Sequence, residues 1–365
     1  MKCLEYLSLY TKFIVYELYN FLAITKLINI IKHYGLINLI KNKLLKKNTI
    51  PKNQYIKKYL EHNFSEWKKI VLNVKKQKIL ITGFVHIPIY YMNGALIGKF
   101  LQEKYKTDII CLLEEGDFLG ESIYRSFNIN NFIFLKKSSF FLRLKKFRES
   151  LKIISNYKNV DEFLKFKIGD VFFGKIVYDH YLRHTGDCST NIFNFKIYYL
   201  LSKALDCDYS FKKILKVNHF KFCVQAEQQF IPGAISFQNC LEKNIKVFAR
   251  SQGPSLVTMT KFENKKEIFT PRDKISYSYY KSFSKKYEKK AGKLGSKIIS
   301  DRIKGNDKFS LKAWGIKKNK NKPISFVNLK KKNKWNDNPI ACVFGHLLVD
   351  GNYTEGRRLF KDNLT

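Results

Sequence analysis

Lys78–Phe100 (KILITGFVHIPIYYMNGALIGKF) constrains this chain more than any other stretch. It opens with a short apolar, β-branched run, Lys78–Val85, of the kind that forms a buried strand. His86 and Pro88 stop that run. From Asn93 onward Ala95, Leu96, Ile97, Phe100 and Leu101 suggest a helix, and Thr107–Leu113 (TDIICLL) supplies a second apolar run. Strand, turn, helix and strand make a βαβ unit, because a parallel pair needs a crossover between its strands. Ligands of open parallel sheets sit at the carboxyl ends of the strands, beside helix N-termini. His86, Asn93 and Gly94 are expected there. The loop carries neither a GxGxxG nor a Walker pattern.

The pattern recurs downstream. Asn131–Leu135 reads as a third strand and Phe140–Tyr157 as a basic amphipathic helix, followed by a less regular segment, Phe166–Arg183. Helices are expected at Asn194–Leu205 and Tyr209–Val217. Then come a buried strand at Lys221–Ala226, a helix at Ile231–Lys243 and a strand at Ile245–Ala249. The economical architecture is α/β, a Rossmann-like parallel sheet with helices on both faces. Crossovers of one hand would bring His86, Glu227 and Arg250 to one edge of it. The expected division is a helical prefix (1–76, with a helix at Tyr55–Lys76), a Rossmann-like domain (77–304, closing on a Lys-rich helix at Phe283–Ile303), and a polar linker (305–338). Pro339–Phe344 (PIACVF) then begins a second α/β domain, 339–365, which the chain only starts.

The chain of 365 residues is long enough for two domains. Its formal net charge of +38 looks like that of a polyanion binder, but the lysines are scattered rather than striped. That distribution points away from nucleic acid and towards anionic lipid or a diphosphate substrate. Residues 1–48 are apolar and helix-like, yet charges divide them into pieces shorter than the ~18 residues of a membrane span. They are expected either to lie on an anionic membrane face or to pack on the first domain. The seven cysteines show no CxxC pair and no metal spacing, which suits a reducing, cytoplasmic compartment.

Phe166–Arg183 contains Ile168, Gly169, Asp170, Gly174, Tyr178, Asp179, Tyr181, Leu182 and Arg183. It resembles the "IGD…G…IYDxYLR" segment of bacterial capsule and surface-polysaccharide biosynthesis proteins. Val343–Asp362 (VFGHLLVDGNYTEGRRLFKD) is similar to their "VFxHxxxDxxxxxGxxLFxD" stretch. The resemblance implies a GT-B glycosyltransferase, with two Rossmann-like domains facing a cleft, one for the acceptor and one for the sugar nucleotide. It further implies transfer from a nucleotide-sugar donor to a glycan or lipid-linked acceptor at the cytoplasmic face of the membrane. The family continues through a complete second domain, of which this sequence holds only the beginning.

Glycosyl transfer without a metal needs a base on the acceptor hydroxyl and positive charge on the departing diphosphate. His86, with an ordinary pKa near ~6.5, suits the base; its bland alternative is a residue capping the following turn. Glu227, after the strand Lys221–Ala226, is the second base candidate or else a cap on backbone amides. Asp179 and Arg183 form either a sugar clamp or, with Asp170, a structural ion pair. Arg250 and Gln252 follow the Ile245–Ala249 strand, and His346 and Asp350 hold the matching place in the second domain; all four are substrate-contact candidates. No metal and no cofactor beyond the nucleotide sugar is expected. The competing function is a non-catalytic, membrane- or polyanion-associated binding protein on one Rossmann-like domain.

Overall fold

The computed structural model describes residues 2–22, 54–67, 75–187, 189–250, 259–269 and 277–303. The chain divides into one unit of residues 1–250, 259–271 and 348–365 and another of residues 251–258 and 272–347. In the second unit the described part is one helix, Tyr277–Ile303, of 27 residues. The expected linker 305–338 and second domain 339–365 lie outside the described residues, as do Gln252, His346 and Asp350.

The first unit is built on a six-stranded sheet of order β3-β2-β1-β4-β5-β6. Its strands are β1 (Lys75–Gly83), β2 (Thr107–Glu114), β3 (Phe132–Leu135), β4 (Phe220–Gln225), β5 (Lys246–Arg250) and β6 (Met259–Phe262). Neighbours from β3 to β5 pair in parallel, and β6 pairs antiparallel to β5 at the edge. This is an α/β, Rossmann-like sheet, and its strand order reverses between β1 and β4, where open α/β sheets form a crevice.

Apolar runs mark the central strands because both faces are covered. In β1, Ile79 and Ile81 pack into one core with Tyr91, Ala95, Leu101 and Ile123, while Leu80 packs into another with Phe211, Phe237 and Cys240. The first core includes residues of α2 (Gln54–Trp67), α3 (Pro88–Tyr105) and α4 (Phe118–Ser126). A third core is mainly helical. It joins α1 (Lys2–Leu22), α5 (Phe140–Ile154), the short α6 (Val160–Phe163), α7 (Phe173–Thr185) and α8 (Phe195–Val217). The second half of α8 reaches the sheet-side core, together with α9 (Ile235–Glu242). The described helix of the second unit is α10.

The helical core includes the described start of the chain. Phe13 of α1 is buried and stacks on Phe147 of α5, with ring centroids 4.4 Å apart. Glu17 pairs with Arg143 at 2.8 Å and accepts a hydrogen bond from the Tyr199 hydroxyl at 3.1 Å. Residues 2–22 therefore pack on the first unit, while Leu7, Val15 and Leu18 remain exposed on the outward side.

Several boundaries differ from those read in the sequence. The helix after β1 starts at Pro88, not near Asn93, because Pro supplies a helical φ where no backbone donor is needed. Phe173–Thr185 is a regular helix, and 195–217 is one continuous helix of 23 residues. Within it Asp208 pairs with Lys212 at 3.0 Å and accepts from Asn239 Nδ2 at 2.8 Å. The expected Tyr55–Lys76 helix ends at Trp67, and β1 is under way by Lys75. A π-helical turn, Phe230–Ala234, precedes α9.

Candidate functional site

The parallel strands deliver their loops to one carboxyl edge, and there β1 and β2 build a cluster of titratable side chains. Gly83 ends β1 where a Cβ would lie 2.5 Å from Leu113 and 2.9 Å from the Tyr91 ring, so a small residue is required. A tight turn follows, with the Ile87 N–H bonded to the Val85 carbonyl at 2.7 Å, and His86 stands at its tip. Tyr91, in the first turns of α3, is buried, and its hydroxyl donates to Asp117 Oδ2 at 2.5 Å. Asp117 is the N-cap of α4, its Oδ1 accepting from the Gly120 N–H at 3.0 Å. The carboxylate is thereby fixed on both oxygens.

Onto this frame His86 docks. Its Nδ1 lies 2.9 Å from the Tyr91 hydroxyl and 3.4 Å from Asp117 Oδ2, and its Nε2 lies 3.5 Å from Glu114 Oε2. Since the Tyr91 proton is given to Asp117, the Tyr91 oxygen accepts from His86 Nδ1–H. Hydrogen bonding to Asp117, then to Glu114, raises the His86 pKa to about 10, against the opposing effect of burial. Burial and the Asp117 charge push the Tyr91 phenol well above its ordinary range. At neutral pH the site holds an imidazolium and a neutral phenol. In this protonated form the ring would not take a proton from an acceptor hydroxyl, the part that the sequence reading gave to His86. It can donate one, or lend positive charge to a leaving group.

The other expected residues are distributed as follows. Glu227 leaves the carboxyl end of β4, next to β1, since Thr82 and Gln225 are paired across the two strands. Its Oε1 accepts from the Gln229 N–H at 2.9 Å, a local turn cap. In the same loop Gln228 is buried, and its Oε1 has no hydrogen-bond donor among the described residues. Arg250 closes β5, its backbone paired with Met259. Asn93 and Gly94 do not line the loop. They are buried inside α3, where a Cβ on Gly94 would meet Ile81 at 3.3 Å, so the glycine serves helix-to-sheet approach. Asp179 and Arg183 lie on α7 rather than in an irregular segment; Asp179 is 1% exposed and Arg183 is exposed.

The rest of the Phe166–Arg183 segment carries structure. Gly169 has φ +60°, Asp170 pairs with Lys265 at 2.7 Å, and the Asp170 N–H donates to Glu242 at 3.1 Å. Gly174 lies so close to the Phe163 carbonyl that no Cβ fits. These contacts tie the segment to α6, α9 and the loop after β6.

Sequence reasoning missed Tyr91, Glu114 and Asp117. Glu114 is the last residue of an apolar run and Asp117 precedes a short helix, which is a detectable signal. Recognising them as partners of His86 required knowing that β2 lies beside β1. Among the described residues, no group of three or more His, Cys, Asp or Glu side chains is arranged to hold a metal ion, and no helix is long and apolar enough to cross a membrane. No protein family, no curated protein and no solved structure matches this chain.

Proposed function

We propose that this chain is a GT-B-like glycosyltransferase of bacterial capsule or surface-polysaccharide assembly, moving a sugar from a nucleotide-sugar donor to a glycan or lipid-linked acceptor. One observation carries the reading: an imidazolium set between Glu114 and Asp117 at the carboxyl edge of a parallel sheet, beside its reversal of strand order. Transfer to a hydroxyl releases a nucleoside diphosphate, whose negative charge grows as the glycosidic bond breaks. A fixed proton donor acts on that developing charge and costs no reorganisation. His86 takes this part, as proton donor. Glu227, from the adjacent strand end, is the base on the acceptor hydroxyl, because Glu114 and Asp117 already neutralise His86. The work is done at the cytoplasmic membrane face, with no metal.

A second reading, a membrane- or polyanion-associated binding protein without catalysis, draws on the exposed Leu7, Val15 and Leu18 of α1 together with the +38 net charge.

The test is nucleotide release from UDP-, GDP- and CMP-sugars in the presence of glycan and lipid-phosphate acceptors. His86→Ala is expected to lower turnover on the order of 10²–10⁴-fold with a smaller change in KM. Glu227→Gln removes the charge while keeping the shape and should have a comparable effect. If the folded wild-type protein releases no more nucleotide than the double variant, the catalytic reading is wrong and the binding reading takes its place.

A further inference from the structure

On the helical side of the first unit a cavity of about 310 Å³ is lined by His180 and His184 of α7, Lys196 and Lys203 of α8, and aromatic walls that include Tyr16 and Tyr199. Among the described residues, four basic side chains line it and no carboxylate does. The histidines stack with centroids 4.2 Å apart, as the i, i+4 spacing on one helix face requires. The Ile231 N–H donates to His180 Nδ1 at 3.1 Å, which leaves Nε2 as the nitrogen that carries the proton and donates. Lys203 lies 5.4 Å from the centre of the Tyr199 ring and makes no ion pair among the described residues. The carboxylates whose field reaches it have other cations: Glu17 is held by Arg143 at 2.8 Å, and Glu114 lies 3.5 Å from His86.

Two lysines and two histidines share this concavity, and the nearby Asp187 lies outside its lining, held by the Tyr181 hydroxyl at 2.7 Å. Burial holds His180, His184 and Lys203 below their ordinary pKa ranges, with the Lys203 charge adding to it for both histidines and the Lys137 charge for Lys203. A bound anion opposes that shift, since it pairs several donors at once in a partly desolvated space. The volume is at the lower end of small-molecule pockets. The T-shaped Tyr16–Tyr199 pair, 4.7 Å between centroids, offers apolar ring surface beside the cations.

We infer that this cavity is a binding site for the phosphoryl group of a small phosphorylated ligand, held by His180, His184, Lys196 and Lys203. The site shares no lining residue with the His86 cluster, although the Glu114 charge reaches Lys203, and it does not depend on the transfer reaction.

Inorganic pyrophosphate is the probe, titrated calorimetrically at constant ionic strength and pH 7. Wild-type protein should bind it. Lys203→Met should weaken binding about tenfold, the worth of one charge-assisted contact, and His184→Gln should weaken it by a smaller factor. Lys213→Met, an exposed lysine farther along α8, should leave it unchanged. Histidine resonances of the wild type should also show His180 and His184 gaining basicity as pyrophosphate is added, a readout that needs no substitution. The inference is overturned if wild-type protein does not bind. It is equally overturned if all three variants bind alike, since the attraction would then belong to the chain's overall positive charge. Nucleotide release is not the readout here, so failure of this site leaves the transfer reading standing.

Discussion

His86 and His180 are the same side chain set in opposite surroundings. Two carboxylates and a phenol oxygen receive His86, and its pKa rises to about 10. His180 is desolvated, has His184 and Lys203 for neighbours, and its pKa falls to about 3. One region is therefore a cation whose counter-charges are built in, and the other a neutral donor among cations that lack them. Their contributions to stability have opposite signs. The folded His86 holds its proton more tightly than the unfolded chain, so its contribution is complete below pH 6.5 and is lost as pH rises towards 10. For His180 the contribution is present above pH 6.5 and is lost as pH falls towards 3.

The largest expected effect separates the two regions mechanically. Phe13 anchors α1, and α1 also supplies Tyr16 to the cavity wall and Glu17 to Arg143 and Tyr199. Phe13→Ala should cost about 3–5 kcal/mol, the usual penalty for emptying a buried aromatic site. Urea unfolding measures that cost. In the still-folded fraction, the His180 and His184 resonances should move towards ordinary values while His86 stays protonated at pH 8. Movement of His86 as well would show that the regions are not independent.

A smaller change acts on the built-in counter-charge. Asp117→Asn keeps an oxygen for the Gly120 N–H, and Asn is as good an N-cap as Asp. It removes the charge that His86 depends on most. The His86 pKa should fall by about one to three pH units, as expected for loss of an adjacent opposite charge, with Glu114 holding up the remainder. Loss of stability on raising the pH should begin correspondingly earlier. Carbon and nitrogen shifts of the imidazole report the titration directly. An unchanged midpoint would mean that Asp117 is not the main partner.

The sheet was legible because its strands are periodic over short distances: ILIT, IICLL, FCV and KVFA each read as buried strands without reference to one another. The parallel edge that gathers His86, Glu227 and the end of β5 followed from that series. Partnerships across the sheet did not follow. Glu114 and Asp117 lie 28 and 31 positions after His86 in sequence, and only β1–β2 pairing brings them within 3.5 Å and 3.4 Å of it. In α7 the difficulty was one of phase. Asp179 and Arg183 share the i, i+4 spacing of His180 and His184, one residue earlier, and an acid–base pair drew attention away from two histidines. Rotation by one residue turns a buried Asp into a cavity-lining His, and single-sequence periodicity over an irregular-looking segment does not resolve that phase. The continuity of the helix Phe195–Val217 through Asp208 was not legible either, since the hydrogen bond that accommodates Asp208 comes from Asn239, on another element.

The smallest expected effect tests what holds the second histidine pair down. Burial is the leading cause for both His180 and His184, and the Lys203 charge is a lesser one. Lys203→Met removes the charge and keeps most of the chain length, so it should raise each histidine pKa by about half a pH unit. That is the worth of one unit charge several ångströms away in a water-like dielectric. The direction is fixed by sign: losing a neighbouring cation makes the protonated ring less unfavourable. A two-dimensional histidine titration of wild-type and variant protein at matched ionic strength measures it. A rise beyond about two pH units would mean that repulsion by Lys203 outweighs burial in holding the pair neutral. Titrations that superimpose would place the Lys203 charge out of reach of the pair, and the cavity would lose the shared positive field on which its affinity for a phosphoryl group depends.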